Sequence, residues 1–170
     1  DVACLLAFHR DLGICHFKID GVHAPNARAH ANLNSLVATV LRESAGRIVF
    51  DLDVTAQLRP GDFGMIGTGP LFVENRYTDW HKYWPHQTLR NLWQLAWWVD
   101  PSRLRMEFLN QSRNTEKYAD DPLAPSRYAP DTLFATVFFA NPLGWFEVSS
   151  LPAVYFERIA PLVRVWKDVR

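Results

Sequence analysis

One strand-like segment of the chain ends in a lysine and an aspartate that could work in the same site. Residues 14–20 form this segment, and Gly21 follows it directly. Lys18 and Asp20 are two positions apart, so on a β-strand both side chains point to the same face. A neighbouring ammonium group keeps a carboxylate ionised and offers hydrogen-bond donors to hydroxyl groups. The pair therefore suits a nucleophilic carboxylate that acts on a hydroxyl-rich substrate.

Further carboxylates close the later strand-like segments in the same way. Asp51 and Asp53 end one segment, and Glu74 and Glu107 end two others. Acidic groups at the ends of successive parallel strands meet on the carboxyl-terminal rim of a β/α barrel, where such barrels place their active sites. Paired carboxylates there either hydrolyse glycosidic bonds or bind magnesium. The positive charge of Lys18 disfavours a divalent ion, so the residues favour glycoside hydrolysis.

Other candidate groups lie on the predicted loops. Arg59 could hold sugar hydroxyls or a catalytic acid, or make an ordinary salt bridge. Glu74 and Asp79 are both candidates for the proton donor, and Trp80 could raise the donor's pKa by excluding water. His81 is adjacent and could contact a hydroxyl group. Packing of the loop is an equally good interpretation of Trp80, and a structural role is the commoner one for a histidine.

Hydrophobic spacing and turn residues predict an alternation of strands and helices. The predicted helices are Val2–Leu12, Ala27–Ser44, His86–Val99, Thr132–Ala140 and a last one from Ser150 to about Val169. The predicted strands are 14–20, Arg47–Val54, Pro70–Asn75, Arg103–Leu109 and Gly144–Val148. Such alternation implies an α/β fold with a parallel sheet and right-handed crossovers. Five strands with long loops after them predict a partial (β/α)8 TIM barrel, with residues 1–170 as one piece of a single catalytic domain.

Composition narrows the classes of partner. Lysine plus arginine equal aspartate plus glutamate, 18 against 18, so no basic surface for nucleic acid or an anionic membrane is indicated. The seven tryptophans are read mainly as large core residues, and Cys4 and Cys15 as buried and reduced. Metal-type spacing and cofactor-binding motifs are not found, so neither a metal nor a cofactor is expected. The chain begins with Asp1 rather than Met, which leaves the compartment open with the cytoplasm favoured; oligomeric state also stays open.

The segment Phe17–Asp20 resembles the Lys-x-Asp strand of the family 36 glycoside hydrolases, the melibiases or α-galactosidases. The resemblance implies that Asp20 is the catalytic nucleophile and that Lys18 contacts the sugar. Arg59 matches the arginine of the family's glycine-rich loop. The family's acid/base motif corresponds to the run that holds Glu74 and Asp79, with Glu74 favoured.

The resemblance extends over nearly the whole chain, as the fourth to eighth strand–helix units of the barrel. Residues 138–147 and the helix after them are similar to the family's last strand and helix. The implied activity is retaining hydrolysis of an α-galactoside-like carbohydrate, with Asp53 as a further substrate-binding candidate. The isolated piece is expected to be inactive, since sugar contacts from the first three strands would be missing. Two alternatives stay open: a magnesium-dependent enolase-like enzyme that uses Asp20, Asp53, Glu74 and Glu107, and a non-catalytic carbohydrate-binding barrel piece.

Overall fold

A computed structural model describes residues 1–20, 25–53, 66–74, 84–108, 111–112, 115–144 and 148–170. Its strands are β1 (His16–Ile19), β2 (Val49–Asp53), β3 (Leu71–Glu74), β4 (Leu104–Phe108) and β5 (Asn141–Gly144). Its helices are α1 (Val2–Leu12), α2 (Ala27–Glu43), α3 (Pro85–Leu95), α4 (Pro130–Ala135) and α5 (Ala153–Val169). The strands follow one another in the sheet in chain order, and β1–β2, β2–β3 and β4–β5 pair in parallel. The predicted α/β class with a parallel sheet is confirmed.

The chain divides into two compact units, residues 1–73 and 74–170. In the first unit, one face of the strands packs against α2, and α1 packs on α2. Phe50 and Leu52 of β2 point to this face and are buried against Val37 and Val40 of α2. Leu71 of β3 completes the cluster. Because side chains alternate along a strand, burial of Phe50 and Leu52 leaves Asp51 and Asp53 on the opposite face.

Local side chains define where the first two helices begin. The Asp1 carboxylate accepts a hydrogen bond from the backbone N–H of Ala3 at 2.8 Å, and Asn26 accepts one from Ala29 at 2.9 Å. Each bond satisfies a backbone donor that has no partner within its own helix. Gly13, with φ of 70°, ends α1 in the left-handed conformation that glycine adopts most easily. The predicted start and end of α1 are therefore confirmed.

The second unit has its own core around β4. Leu104 and Met106 are fully buried, and the ring of Phe108 meets that of Phe134 edge to face at 5.2 Å between centroids. α4 packs against α5, which buries Tyr155 and Ile159. The core of this unit therefore forms from β4 and the two helices that follow it.

Two predicted elements of the second unit lie elsewhere. The strand predicted over Gly144–Val148 overlaps the observed β5 (Asn141–Gly144, in register with Arg105–Phe108 of β4) only at Gly144; Val148 begins a 3-10 helix, and residues 145–147 lie outside the described residues. Pro142 lies within β5, which is the last strand in the sheet order, and proline is tolerated in an edge strand. α4 begins at Pro130 and ends at Ala135, earlier than predicted, and α5 begins at Ala153.

The predicted positions of the tryptophans and cysteines also need correction. Trp84, Trp93, Trp97 and Trp98 are exposed, as are Cys4 and Cys15. In α3 the buried positions are Thr88 and Leu92, one helical turn apart, and Trp93 lies about 100° further around the helix. The number of apolar residues indicated a core, but their phase on the helix decides which of them enter it.

Within the residues that the structure describes, none of the helices has the length and apolar character needed to span a bilayer.

Candidate functional site

The candidate site lies on the polar face of the first unit's strands. Parallel pairing sets Lys18 of β1 opposite Asp51 of β2, and Ile19 opposite Leu52. Paired residues of neighbouring strands share a face, so His16 and Lys18 lie on the same side as Asp51 and Asp53. This is the side opposite the packed helices. The face therefore brings one lysine and one histidine together with two aspartates.

Lys18 is the centre of this face. Its Nζ donates to Oδ2 of Asp20 at 2.7 Å and to Oδ2 of Asp53 at 2.9 Å. The prediction that Lys18 and Asp20 meet is confirmed. The bond to Asp53 joins residues 35 positions apart in the chain and arises from the pairing of β1 with β2. One ammonium group thus holds two carboxylates at the carboxyl ends of adjacent strands.

The two carboxylates differ in their access to solvent. The Asp20 side chain is 64% exposed, whereas that of Asp53 is 9% exposed and that of Lys18 is 22% exposed. Asp20 is therefore open to a molecule that approaches from solution. Asp53 is enclosed, and its hydrogen bond to Lys18 is shielded from water.

An aromatic ring also contacts the lysine. Nζ of Lys18 lies 5.4 Å from the centroid of the Phe72 ring, within the range of a cation–π interaction. Phe72 pairs with Asp53 in the β2–β3 register and is completely buried. Sequence reasoning missed Phe72 as a member of this site. The available signal was its place in the strand before Glu74, since every second residue of that strand shares a face.

The charges around Lys18 alter its acidity. Burial acts to lower the pKa of Lys18, but the hydrogen bonds to Asp20 and Asp53, and then the charges of both carboxylates, together outweigh it. The pKa of Lys18 therefore lies above its ordinary value. The ammonium form persists through the neutral range and balances part of the negative charge on this face.

A second pair, His16 and Asp51, lies on the same face, two residues before Lys18 and Asp53 on their strands. Nε2 of His16 is 3.9 Å from Oδ2 of Asp51, whose side chain is buried while the histidine is half-exposed. The contact is an ion pair only when His16 is protonated. His16 does share the face of Lys18, as the strand period indicates, but it is not enclosed.

The remaining predicted site residues belong to the second unit, or their side chains lie outside what the structure describes. Glu107 is buried on β4 in the second unit. Glu74 ends β3, and its side chain lies outside what the structure describes. Arg59, Asp79, Trp80 and His81 lie outside the described residues, so their predicted roles stay predictions. Across the described ranges, no three His, Cys, Asp or Glu side chains form a group able to hold a metal ion.

Comparison of the chain with protein-family models, with curated proteins and with solved structures finds no match.

Replacement of Lys18 by methionine should destabilise the protein in a pH-dependent way. The variant leaves Asp53 enclosed without its ammonium partner, and we expect the free energy of unfolding near neutral pH to fall by about 2 kcal/mol. Because the folded-state pKa of Lys18 is raised, its stabilisation is complete below the unfolded value of 10.5 and is lost as the pH rises through the folded value. Urea unfolding at about pH 7 and about pH 11 measures both effects.

Lys167→Met is the control for that measurement. It removes the same charge from an exposed position in α5 and should cost little stability. An equal loss of stability in both variants, or a Lys18→Met deficit that persists unchanged at strongly alkaline pH, would contradict the assigned ion pairs.

Proposed function

We propose that the protein is a retaining glycoside hydrolase that acts on an α-galactoside-like carbohydrate, with Asp20 as the nucleophile. The observation that carries this proposal is the exposed carboxylate of Asp20, hydrogen-bonded to Lys18 at the carboxyl end of a parallel strand. A nucleophilic carboxylate must be ionised and accessible, and this arrangement supports both requirements. The resemblance of residues 17–20 to the family 36 glycoside hydrolases supports the same role.

The proposed reaction proceeds in two displacements. An Asp20 carboxylate oxygen bonds to the anomeric carbon while the bond from that carbon to the leaving oxygen breaks, and a carboxylic acid donates a proton to the leaving oxygen. Glu74 is the favoured acid, with Asp79 as the alternative. Water then attacks the anomeric carbon, the same group takes its proton, and Asp20 is released as carboxylate. Lys18 offers its ammonium hydrogens to the sugar or to the nucleophile.

The finer fold assignment belongs to the same proposal. The five parallel strands would be the fourth to eighth strands of a (β/α)8 barrel, because active sites of such barrels gather at the carboxyl ends of the strands. Asp20 follows β1 directly and Asp53 is the last residue of β2. Both are therefore at the end where the barrel would carry its substrate.

Hydrolysis of nitrophenyl α- and β-glycosides by the complete natural protein tests the proposal. We expect release of nitrophenol from the α-galactoside, reduced at least about 10⁴-fold by Asp20→Asn. Asp11→Asn is the matched control, since Asp11 is a similarly exposed carboxylate on α1 that is paired with Arg10, and it should stay active. Near-normal turnover by Asp20→Asn would exclude Asp20 as nucleophile.

The same assay distinguishes the two other functions. A magnesium-dependent enzyme would be inactive on the glycosides and would lose its own activity with a chelator, whereas the glycosidase should be indifferent to chelation. Lys18 weighs against magnesium, because an ammonium group already occupies the space between Asp20 and Asp53. A purely carbohydrate-binding protein would bind galactosides equally well before and after Asp20→Asn, without turnover.

A further inference from the structure

The carboxylates of Asp20 and Asp53 are unequally buried, and this difference indicates a role for Asp53 outside the chemical steps. Lys18 has four rotatable side-chain bonds, and holding it in one conformation costs side-chain entropy. An exposed carboxylate such as Asp20 contributes little to that ordering, because water competes for its hydrogen bonds. The enclosed Asp53 carboxylate and the buried Phe72 ring are shielded from that competition. Asp53 is therefore the stronger anchor for the lysine.

The charge of the site changes during the proposed reaction. At rest, the ammonium group of Lys18 is hydrogen-bonded to the carboxylates of Asp20 and Asp53. When Asp20 forms its ester with the anomeric carbon, it becomes neutral, and Lys18 loses that partner. The hydrogen bond from Lys18 to Asp53, at 2.9 Å, is unaffected by ester formation. Asp53 is then the enclosed carboxylate that still faces this ammonium, beside a sugar whose transition state is itself positively charged.

We propose that Asp53 is a positioning residue that anchors Lys18 beside Asp20 and remains its counter-ion while Asp20 carries the glycosyl group. This inference rests on the proposed function for its second part; the anchoring of Lys18 stands on the geometry alone. It differs from the expectation drawn from the sequence, in which Asp53 binds substrate. An enclosed carboxylate already bonded to Lys18 is poorly placed to accept a sugar hydroxyl.

Chemical labelling of Lys18 tests the anchor without any substrate. Acetic anhydride acylates only unprotonated amines, so at mildly alkaline pH the labelling rate rises tenfold for each unit by which the lysine pKa falls. We expect Asp53→Asn to accelerate labelling of Lys18 about tenfold and Asp20→Asn to accelerate it much less. Mass spectrometry of the peptide that carries Lys18 gives the rate, with Lys167 of the same protein as the internal reference. Equal acceleration by both variants, or none by Asp53→Asn, overturns the proposal.

Steady-state kinetics of the complete protein test the role in turnover. Asp53→Asn should lower kcat about 100-fold with little change in KM, because a released Lys18 no longer stays in place beside Asp20. In a Lys18→Met background, Asp53→Asn should add almost nothing, because Asp53 acts through Lys18. Additive effects, or a loss that appears in KM and not in kcat, contradict the positioning role.

The labelling experiment and the kinetic experiment together separate this inference from the proposed function. If the wild-type protein hydrolyses no glycoside, the proposed function fails, and labelling still decides whether Asp53 anchors Lys18. If hydrolysis is present and labelling responds equally to both substitutions, the glycosidase stands and the anchor does not.

Discussion

Gly69→Ala is expected to unfold the first unit or to destabilise it by about 3 kcal/mol or more. A Cβ atom at this position would lie 1.9 Å from the carbonyl oxygen of Phe50, 2.9 Å from its carbonyl carbon and 3.0 Å from its nitrogen. These are backbone atoms of β2, so no side-chain rotation can relieve the overlap. Either β2 or the start of β3 must move away.

Movement at that point would disrupt the sheet next to the candidate site. The backbone N–H of Leu52 donates to the carbonyl oxygen of Pro70 at 3.2 Å, directly after Gly69. Leu52 and Leu71 face each other across the same strand pair and belong to one buried cluster. Displacement would therefore break a ladder hydrogen bond and open the core together.

Gly67→Ala is the matched control for this substitution. It adds the same methyl group two residues earlier, where a Cβ atom meets nothing within 4 Å. Urea unfolding of both variants, followed by circular dichroism, measures the difference. We expect Gly67→Ala to stay within about 0.5 kcal/mol of the wild type. Equal stability of the two variants would mean that β2 and Gly69 do not approach each other in this way.

Asp20→Gly should abolish hydrolysis, and azide should then restore consumption of an activated α-galactoside. Deletion of the carboxylate removes the nucleophile and leaves space beside the anomeric carbon. A small anion that enters this space attacks the carbon from the same side as Asp20 would, and the nitrophenolate leaves without a proton donor. The product should be the β-glycosyl azide, of inverted configuration, since only one displacement occurs.

Folding should survive this substitution. Asp20 is exposed, and Lys18 keeps its hydrogen bond to the enclosed Asp53. The same variant in chloride should stay inactive, because chloride is a much weaker nucleophile than azide. Nuclear magnetic resonance of the product gives its anomeric configuration. A product of retained configuration, or hydrolysis by Asp20→Gly without azide, would remove Asp20 from the role of nucleophile.

Much of the local structure can be predicted from the sequence because it depends on neighbouring residues. Periodicity and end signals such as Asp1 and Gly13 define α1, and alternation of strands and helices predicts parallel pairing. The contact between Lys18 and Asp20 also follows from local geometry, since side chains two apart on a strand share a face. The bounds of β5 do not follow in this way, because a strand that contains Pro142 is acceptable only at the edge of a sheet.

The sequence by itself determined the types of group and their order. A lysine and an aspartate stand at one strand end, and two aspartates stand at the next. Only the tertiary structure decided that the Asp53 carboxylate accepts a hydrogen bond from Nζ of Lys18 at 2.9 Å. That choice depends on the register of β1 against β2, which is set by packing of Phe50 and Leu52 against α2. Trp93 and Trp97 are exposed because packing against the core likewise sets which face of a helix is buried. Register and helix phase are properties of the packed core, so distant residues determine them.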